Sequence, residues 1–221
     1  MINNSSNAFS ILRIKYFFGN PRSYPGSGST VYDLANNYSG IINGSLAYNN
    51  PYFTFNDTQY INTSSTPVSL NIYDASYTCE ALASFSNLSG DNMIFGNQAQ
   101  ASRAGWHLGA RNTGFYFGHY GSDAGYGTAT VNTLYHIIWT FEKGESTNGI
   151  AKIWINGSNI SGAGGSIGSY IATNNIYIGS GYNTTSSRFA GDLYYVRIYN
   201  KVLSENEINN NYAFAESRFM L

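Results

Sequence analysis

Residues 106–126 hold Trp106, His107, Arg111, Asn112, Tyr116, His119, Tyr120, Asp123 and Tyr126. These side chains suit sugar recognition. Aromatic faces stack on sugar C–H surfaces, and amide, guanidinium and carboxylate groups bond hydroxyls. Glycines divide the stretch into loops that can present such a set. A competing reading comes from Phe115, Tyr116 and Phe117, because alternate residues of any strand here must face a core. The candidate ligand-binding residues are Trp106, Arg111, Asn112, Tyr116, His119, Tyr120 and Tyr126.

Other chemistries find less support. A retaining glycosidase needs two carboxyl groups about 5 Å apart. The chain has 12 acidic residues, and the only pair two positions apart is Glu205 and Glu207. Those two belong to a helix-capping pattern. Glu142 and Glu145 flank a turn. No catalytic residue is assigned, and the expectation is a protein that binds and does not catalyse. His107, His119 and His136 stand apart with no metal-ligand spacing. His136 is expected to fill a strand site as a hydrogen-bonded neutral ring. Cys79 lies on an alternating strand and reads as a small core residue.

Composition narrows the function class. Of 221 residues, 43% are hydrophobic and 16% aromatic, including 20 Tyr, which suits half-buried strands. Only 10% are charged and the net charge is −1, so nothing attracts a nucleic-acid backbone. One cysteine excludes an intrachain disulfide. Residues 1–10 show no signal-peptide pattern, and no stretch approaches the ~20 apolar residues of a membrane span. Synthesis in a reducing cytoplasm, without membrane insertion, is the expectation.

The elements that must position these residues are short alternating runs bounded by Gly, Asn or Ser. They fall at residues 9–18, 41–47, 52–55, 77–85, 93–95, 105–110, 115–120, 134–142, 150–155, 176–178 and 193–199. Asn156-Gly157 predicts a two-residue hairpin turn. Ser204 and Glu207 form a capping box, with Leu203 and Ile208 as a hydrophobic staple, so a short helix is predicted from Glu205 toward Ala213. No repeat of propeller length is present. The fold class is therefore all-β: a two-sheet antiparallel jelly-roll sandwich with one short C-terminal helix, a single domain over residues 1–221. Residues 1–10 are expected to form an N-terminal arm.

Five segments, in order, resemble the laminin-G-like branch of the concanavalin A-like lectin/glucanase superfamily. They are GNPRSYPGSGSTVYDLANNYSGIINGSL (residues 19–46), YFTFNDTQYINTSS (52–65), YTCEALASF (77–85), LYHIIWTFEKGESTNGIAKIWINGSNISG (134–162) and IYIGSGYNTTSSRFAGDLYYVRIYNKVLSENEINNNY (176–212). The opening of the first segment is similar to the form found in tailed-phage and large-virus structural proteins. The superfamily's glucanases resemble one another in a Glu-x-Asp strand pattern that is missing here. Many relatives hold a structural Ca²⁺, which makes Asp33, with Asn36 or Asn37, and Asp192 candidate ligands. The turn reading, an aspartate bonding its own backbone, is favoured over calcium at each position.

The resemblance thus implies a structural or binding module. The first expectation is a virion surface protein, a capsid decoration or fibre module made in the host cytoplasm. Its partners would be other virion subunits, copies of itself as a homo-oligomer, and cell-surface glycan. The alternative is a free, extracellular or cellular carbohydrate-binding adhesion module.

Overall fold

The computed structural model describes residues 11–183 and 185–221. The N-terminal arm expected over residues 1–10 lies outside the described residues. In chain order the strands are β1 (Leu12–Phe17), β2 (Thr30–Val31), β3 (Gly40–Asn43), β4 (Ala47–Asn49), β5 (Tyr52–Asn56) and β6 (Tyr60–Asn62). Next come β7 (Tyr77–Phe85), β8 (Asp91–Gly96), β9 (His107–Arg111), β10 (Gly114–Gly118), β11 (Asp123–Tyr126) and β12 (Leu134–Lys143). The last are β13 (Asn148–Ile155), β14 (Ser158–Asn159), β15 (Gly165–Gly168), β16 (Tyr177–Ile178) and β17 (Ala190–Tyr199), followed by helix α1 (Glu205–Phe219).

Two antiparallel sheets form the all-β sandwich. The first has nine strands in the order β14-β13-β12-β7-β17-β5-β4, with β1 also on β17 and β15 also on β13. The second has eight, in the order β11-β10-β9-β8-β16-β6-β3-β2. Between them lies one apolar cluster that takes Cys79, Ala81, Ala83 and Phe85 from β7, Leu108 and Ala110 from β9, and Phe115 and Phe117 from β10. Alternation along each strand puts these residues on the inner face. Asn156 and Gly157 both have positive φ (49° and 77°), as the two-residue turn from β13 to β14 requires.

β7 is buried on both faces, for two different reasons. Its inner face joins the core. Its outer face is covered by α1: Leu82 packs with Phe17, Tyr195 and Ala215, and with the partly buried Phe219 and Leu221. The helix is longer than the sequence predicts, ending at Phe219 and not near Ala213, because its last turns seat on this second apolar cluster. Its start is as predicted. Ser204 caps the first turn, and the Glu207 side chain returns to the Ser204 amide at 2.9 Å.

Beneath the helix sits a buried carboxylate. Glu80 is 0% exposed. It accepts from His136 Nε2 (3.0 Å), Arg197 Nη1 (3.0 Å), Tyr195 Oη (3.1 Å), Tyr199 Oη (2.9 Å) and Asn211 Nδ2 (2.9 Å). The hub joins β7, β12, β17 and α1. The His136 ring is thus hydrogen-bonded within the sandwich. Burial alone would raise the Glu80 carboxyl, but Arg197, His136 and Tyr199 outweigh it and hold the pKa at about 2. No described helix is long and apolar enough to cross a membrane.

Candidate functional site

The outer face of the second sheet carries the polar cluster. The register of β8, β9, β10 and β11 sets its rows. Asp91 lies opposite Arg111, Met93 opposite Gly109, and Gly96 opposite His107. Gly109 lies opposite Tyr116 and His107 opposite Gly118, and Gly118 lies opposite Asp123 and Tyr116 opposite Gly125. Large side chains therefore alternate with glycines across the face. A glycine leaves room for a neighbouring ring to lie over the sheet. A Cβ on Gly118 would fall 2.0 Å from His107 Nε2 and 2.5 Å from Asp123 Oδ1.

The guanidinium of Arg111 is held in place. Its Nε meets Asp91 Oδ1 at 2.5 Å and its Nη2 meets Oδ2 at 3.4 Å, a fork on one carboxylate. Nη1 donates to the Tyr116 hydroxyl and lies 4.0 Å from Asp123 Oδ2. The group sits 4.0 Å from the Tyr116 ring centroid, a cation–π contact. The imidazole of His107 also stacks on Tyr116, at 5.5 Å and 23°. His107 is 1% exposed; its Nε2 approaches Asp123 Oδ1 at 3.1 Å and its Nδ1 faces the Gly105 carbonyl at 3.1 Å.

Two tyrosines edge this base. Tyr182, from the loop between β16 and β17, meets His107 edge-on at 4.8 Å and Tyr120 at 5.3 Å. Its hydroxyl donates to Asp91 Oδ2 at 2.5 Å, and burial together with that carboxylate pushes its pKa up to about 12. Tyr120 follows β10 in a left-handed conformation, φ 45°, and remains partly exposed. Asp123 stays ionised: burial would raise its carboxyl, but the His107 contact and the Arg111 charge lower it below the usual range. Beside Asp91, a cavity of about 260 Å³ continues the face, lined by Asp57, Thr58, Asn87, Ser89, Asn92 and Arg188 among others.

The structure brings Arg111, Tyr116 and Tyr120 together and removes four other sequence candidates from this face. Trp106 is 0% exposed, and its Nε1 donates to the Tyr77 hydroxyl at 2.8 Å. His119 is also 0% exposed, with Nε2 2.6 Å from the Tyr77 hydroxyl and Nδ1 2.5 Å from the Gly168 carbonyl. Because Gly168 O can only accept, Nδ1 carries the proton, and Tyr77 donates to Nε2. Burial holds the His119 pKa down at about 3. Tyr126 pairs with inward-facing Phe115 and packs against the core from the sheet edge. Asn112 occupies the β9–β10 turn at φ 51°, where its Oδ1 accepts the Gly90 amide at 3.3 Å. The sequence reading missed Asp91 and Tyr182, which long-range pairing delivers.

Both candidate calcium ligands are engaged by donors of the chain itself. Asp33 accepts backbone N–H groups from Lys15 (2.8 Å), Ala35 (2.9 Å), Asn36 (3.0 Å) and Tyr38 (3.4 Å). Donors already aimed at both oxygens stand where Ca²⁺ would need oxygen ligands. Asp192 accepts the Thr54 hydroxyl at 2.7 Å. Among the described residues no three His, Cys, Asp or Glu side chains converge on a metal position.

Comparison with known proteins adds three solved structures. The Trypanosoma rangeli sialidase bound to 2,3-difluoro-KDN superposes with a TM-score of 0.69 at 14% identity, over 94% of this chain and 33% of the sialidase. Domain 4 of AbnA, a GH43 extracellular arabinanase from Geobacillus stearothermophilus, in complex with arabinotriose, gives 0.63 at 16% identity, over 90% of this chain and 97% of that one. The binding domain of botulinum neurotoxin DC, in complex with SialylT, gives 0.60 at 14% identity, over 93% and 52%. The chain spans about a third of the sialidase's length. At these identities the likeness is one of fold. No curated protein matches the chain.

The expectation that the protein does not catalyse is corrected here. Its warrant was the missing Glu-x-Asp pattern of glucanases, yet the fold is shared with a third of a sialidase and with one domain of an arabinanase. Absence of one family's carboxylate pair therefore does not exclude catalysis. The family described as the concanavalin A-like lectin/glucanases superfamily matches residues 55–209. With that match over more than half its length, and with two antiparallel sheets closed by a C-terminal helix, the chain belongs to the concanavalin A-like lectin/glucanase superfamily.

Proposed function

We propose that the protein is a glycan-binding module and that the outer face of the second sheet is its binding surface. The observation that carries this is the cluster of Tyr120, Tyr182, Arg111, Asp91 and Asp123 on one half-exposed face. Sugar rings offer C–H faces to aromatic rings and hydroxyls to carboxylates, and this face has both within one ring's width. Support also comes from two structural neighbours whose complexes hold arabinotriose and SialylT. Screening the purified chain on a glycan array tests the proposal. The expected result is saturable binding to a defined oligosaccharide class; an array with no hit contradicts it.

The finer reading places this module on the surface of a virus particle, beside other virion subunits and copies of itself. What supports it is the opening Gly19-Asn20-Pro21 segment and a charged share of only 10%. Light scattering on the purified chain is expected to show an oligomer. A monodisperse monomer contradicts this reading and favours the free extracellular module.

A further inference from the structure

Taking the glycan-binding reading as its basis, we infer that the ligand is an uncharged, hydroxyl-rich glycan and not an acidic one. The structural neighbours do not decide this, since their complexes include both arabinotriose and SialylT. The charges on the face do. Across the cluster and its adjoining cavity, Asp57, Asp91 and Asp123 face Arg111 and Arg188.

Both guanidinium groups already hold partners within the chain. Arg111 forks onto Asp91, bonds the Tyr116 hydroxyl and lies 4.0 Å from Asp123. Arg188 donates to the Thr58 carbonyl at 2.9 Å and sits 4.7 Å from the Tyr60 ring centroid. His107 is buried beneath the tyrosines and cannot reach a ligand. An acidic sugar would bring a negative charge beside carboxylates whose counter-charges are already shared. A hydroxyl, by contrast, finds acceptors. Asp123 is 26% exposed and has lone pairs left for a vicinal diol, while Asn87 and Ser89 line the adjoining cavity.

The test is calorimetric titration of the full chain with three probes: arabinotriose, lactose and 3′-sialyllactose. The last two share a neutral core and differ by one carboxylated sugar. At least one neutral probe is expected to bind, with an affinity that changes less than twofold between 50 and 500 mM NaCl. Sialyllactose is expected to bind at least tenfold more weakly than the tightest neutral probe. Asp123→Asn is expected to weaken the neutral probe and narrow that gap at least threefold. Preference for sialyllactose, or an affinity that falls steeply with salt, overturns the inference while leaving glycan binding intact. Failure of all three probes, together with an empty glycan array, overturns the glycan reading and this inference with it.

Discussion

Glu80→Gln lowers the stability of the fold by about 3–5 kcal/mol at neutral pH, the range for breaking a buried ion pair from one side. For a chain of this size that is a fall in Tm of roughly 10 °C. The carboxylate is fully buried and serves five donors from two strands and the helix. Glutamine keeps the shape but removes the charge that Arg197 faces, and Arg197 is itself only 7% exposed. Urea denaturation measures the effect, and a loss below about 1 kcal/mol would show that Arg197 has another partner.

The same hub gives the wild type an acid-sensitive stability. The folded pKa of Glu80, about 2, lies below its ordinary 4.5. Its contribution is therefore complete above pH 4.5 and is lost as pH falls toward 2, amounting to about 3 kcal/mol. His119 acts in the same direction. Its folded pKa of about 3 lies below the ordinary 6.5, so its share is complete above pH 6.5 and is lost on the way down to 3. Glu80→Gln removes only the first share. Its stability should vary less than that of the wild type between pH 4.5 and 2.

Gly118→Ala is expected to reduce glycan affinity at least tenfold, about 1.4 kcal/mol. The new methyl would stand 2.0 Å from His107 Nε2 and 2.5 Å from Asp123 Oδ1. The imidazole cannot simply swing aside, because Tyr116 stacks on it and Tyr182 abuts it. Overpacking of this kind costs about 1–3 kcal/mol of stability. Gly125→Ala is the comparison, since its methyl would meet the Tyr116 ring at 3.4 Å, a much milder approach. The measurement is titration of both variants with the best glycan from the array. Wild-type affinity in Gly118→Ala would show that His107 and Asp123 do not shape the binding face.

The long strands were legible because they combine apolar runs with period-two alternation. β7, β12 and β17 carry the core and fall where residues 77–85, 134–142 and 193–199 place them. β2, β11, β14 and β15 were not legible. They have two to four residues, rich in Gly, Ser, Thr or Asn, and exist because a longer neighbour pairs with them. The capping box marked the start of α1. Nothing local marked its end, which the packing of Phe219 against Phe17 and Tyr195 decides.

Part of the site was also within reach of the sequence. Trp106 shares alternation with inward-facing Leu108 and Ala110, and His119 shares it with Phe115 and Phe117. Both could have been recognised as core on that pattern. Arg111, Tyr116 and Tyr120 were found by residue type. Asp91 and Tyr182 were not, because only the β8–β9 register and the folded loop before β17 bring them to Arg111. Glu80 gave no local signal either, since its partners lie 56 to 131 residues away.

The decisive measurement is titration of the array-selected oligosaccharide into the wild type and into the Tyr120→Ala/Tyr182→Ala variant, with thermal unfolding recorded alongside. If the outer face of the second sheet binds glycan, the wild type saturates, and the variant loses at least tenfold in affinity while still unfolding cooperatively. Equal affinity in a folded variant would contradict the assignment and move the binding surface elsewhere on the sandwich.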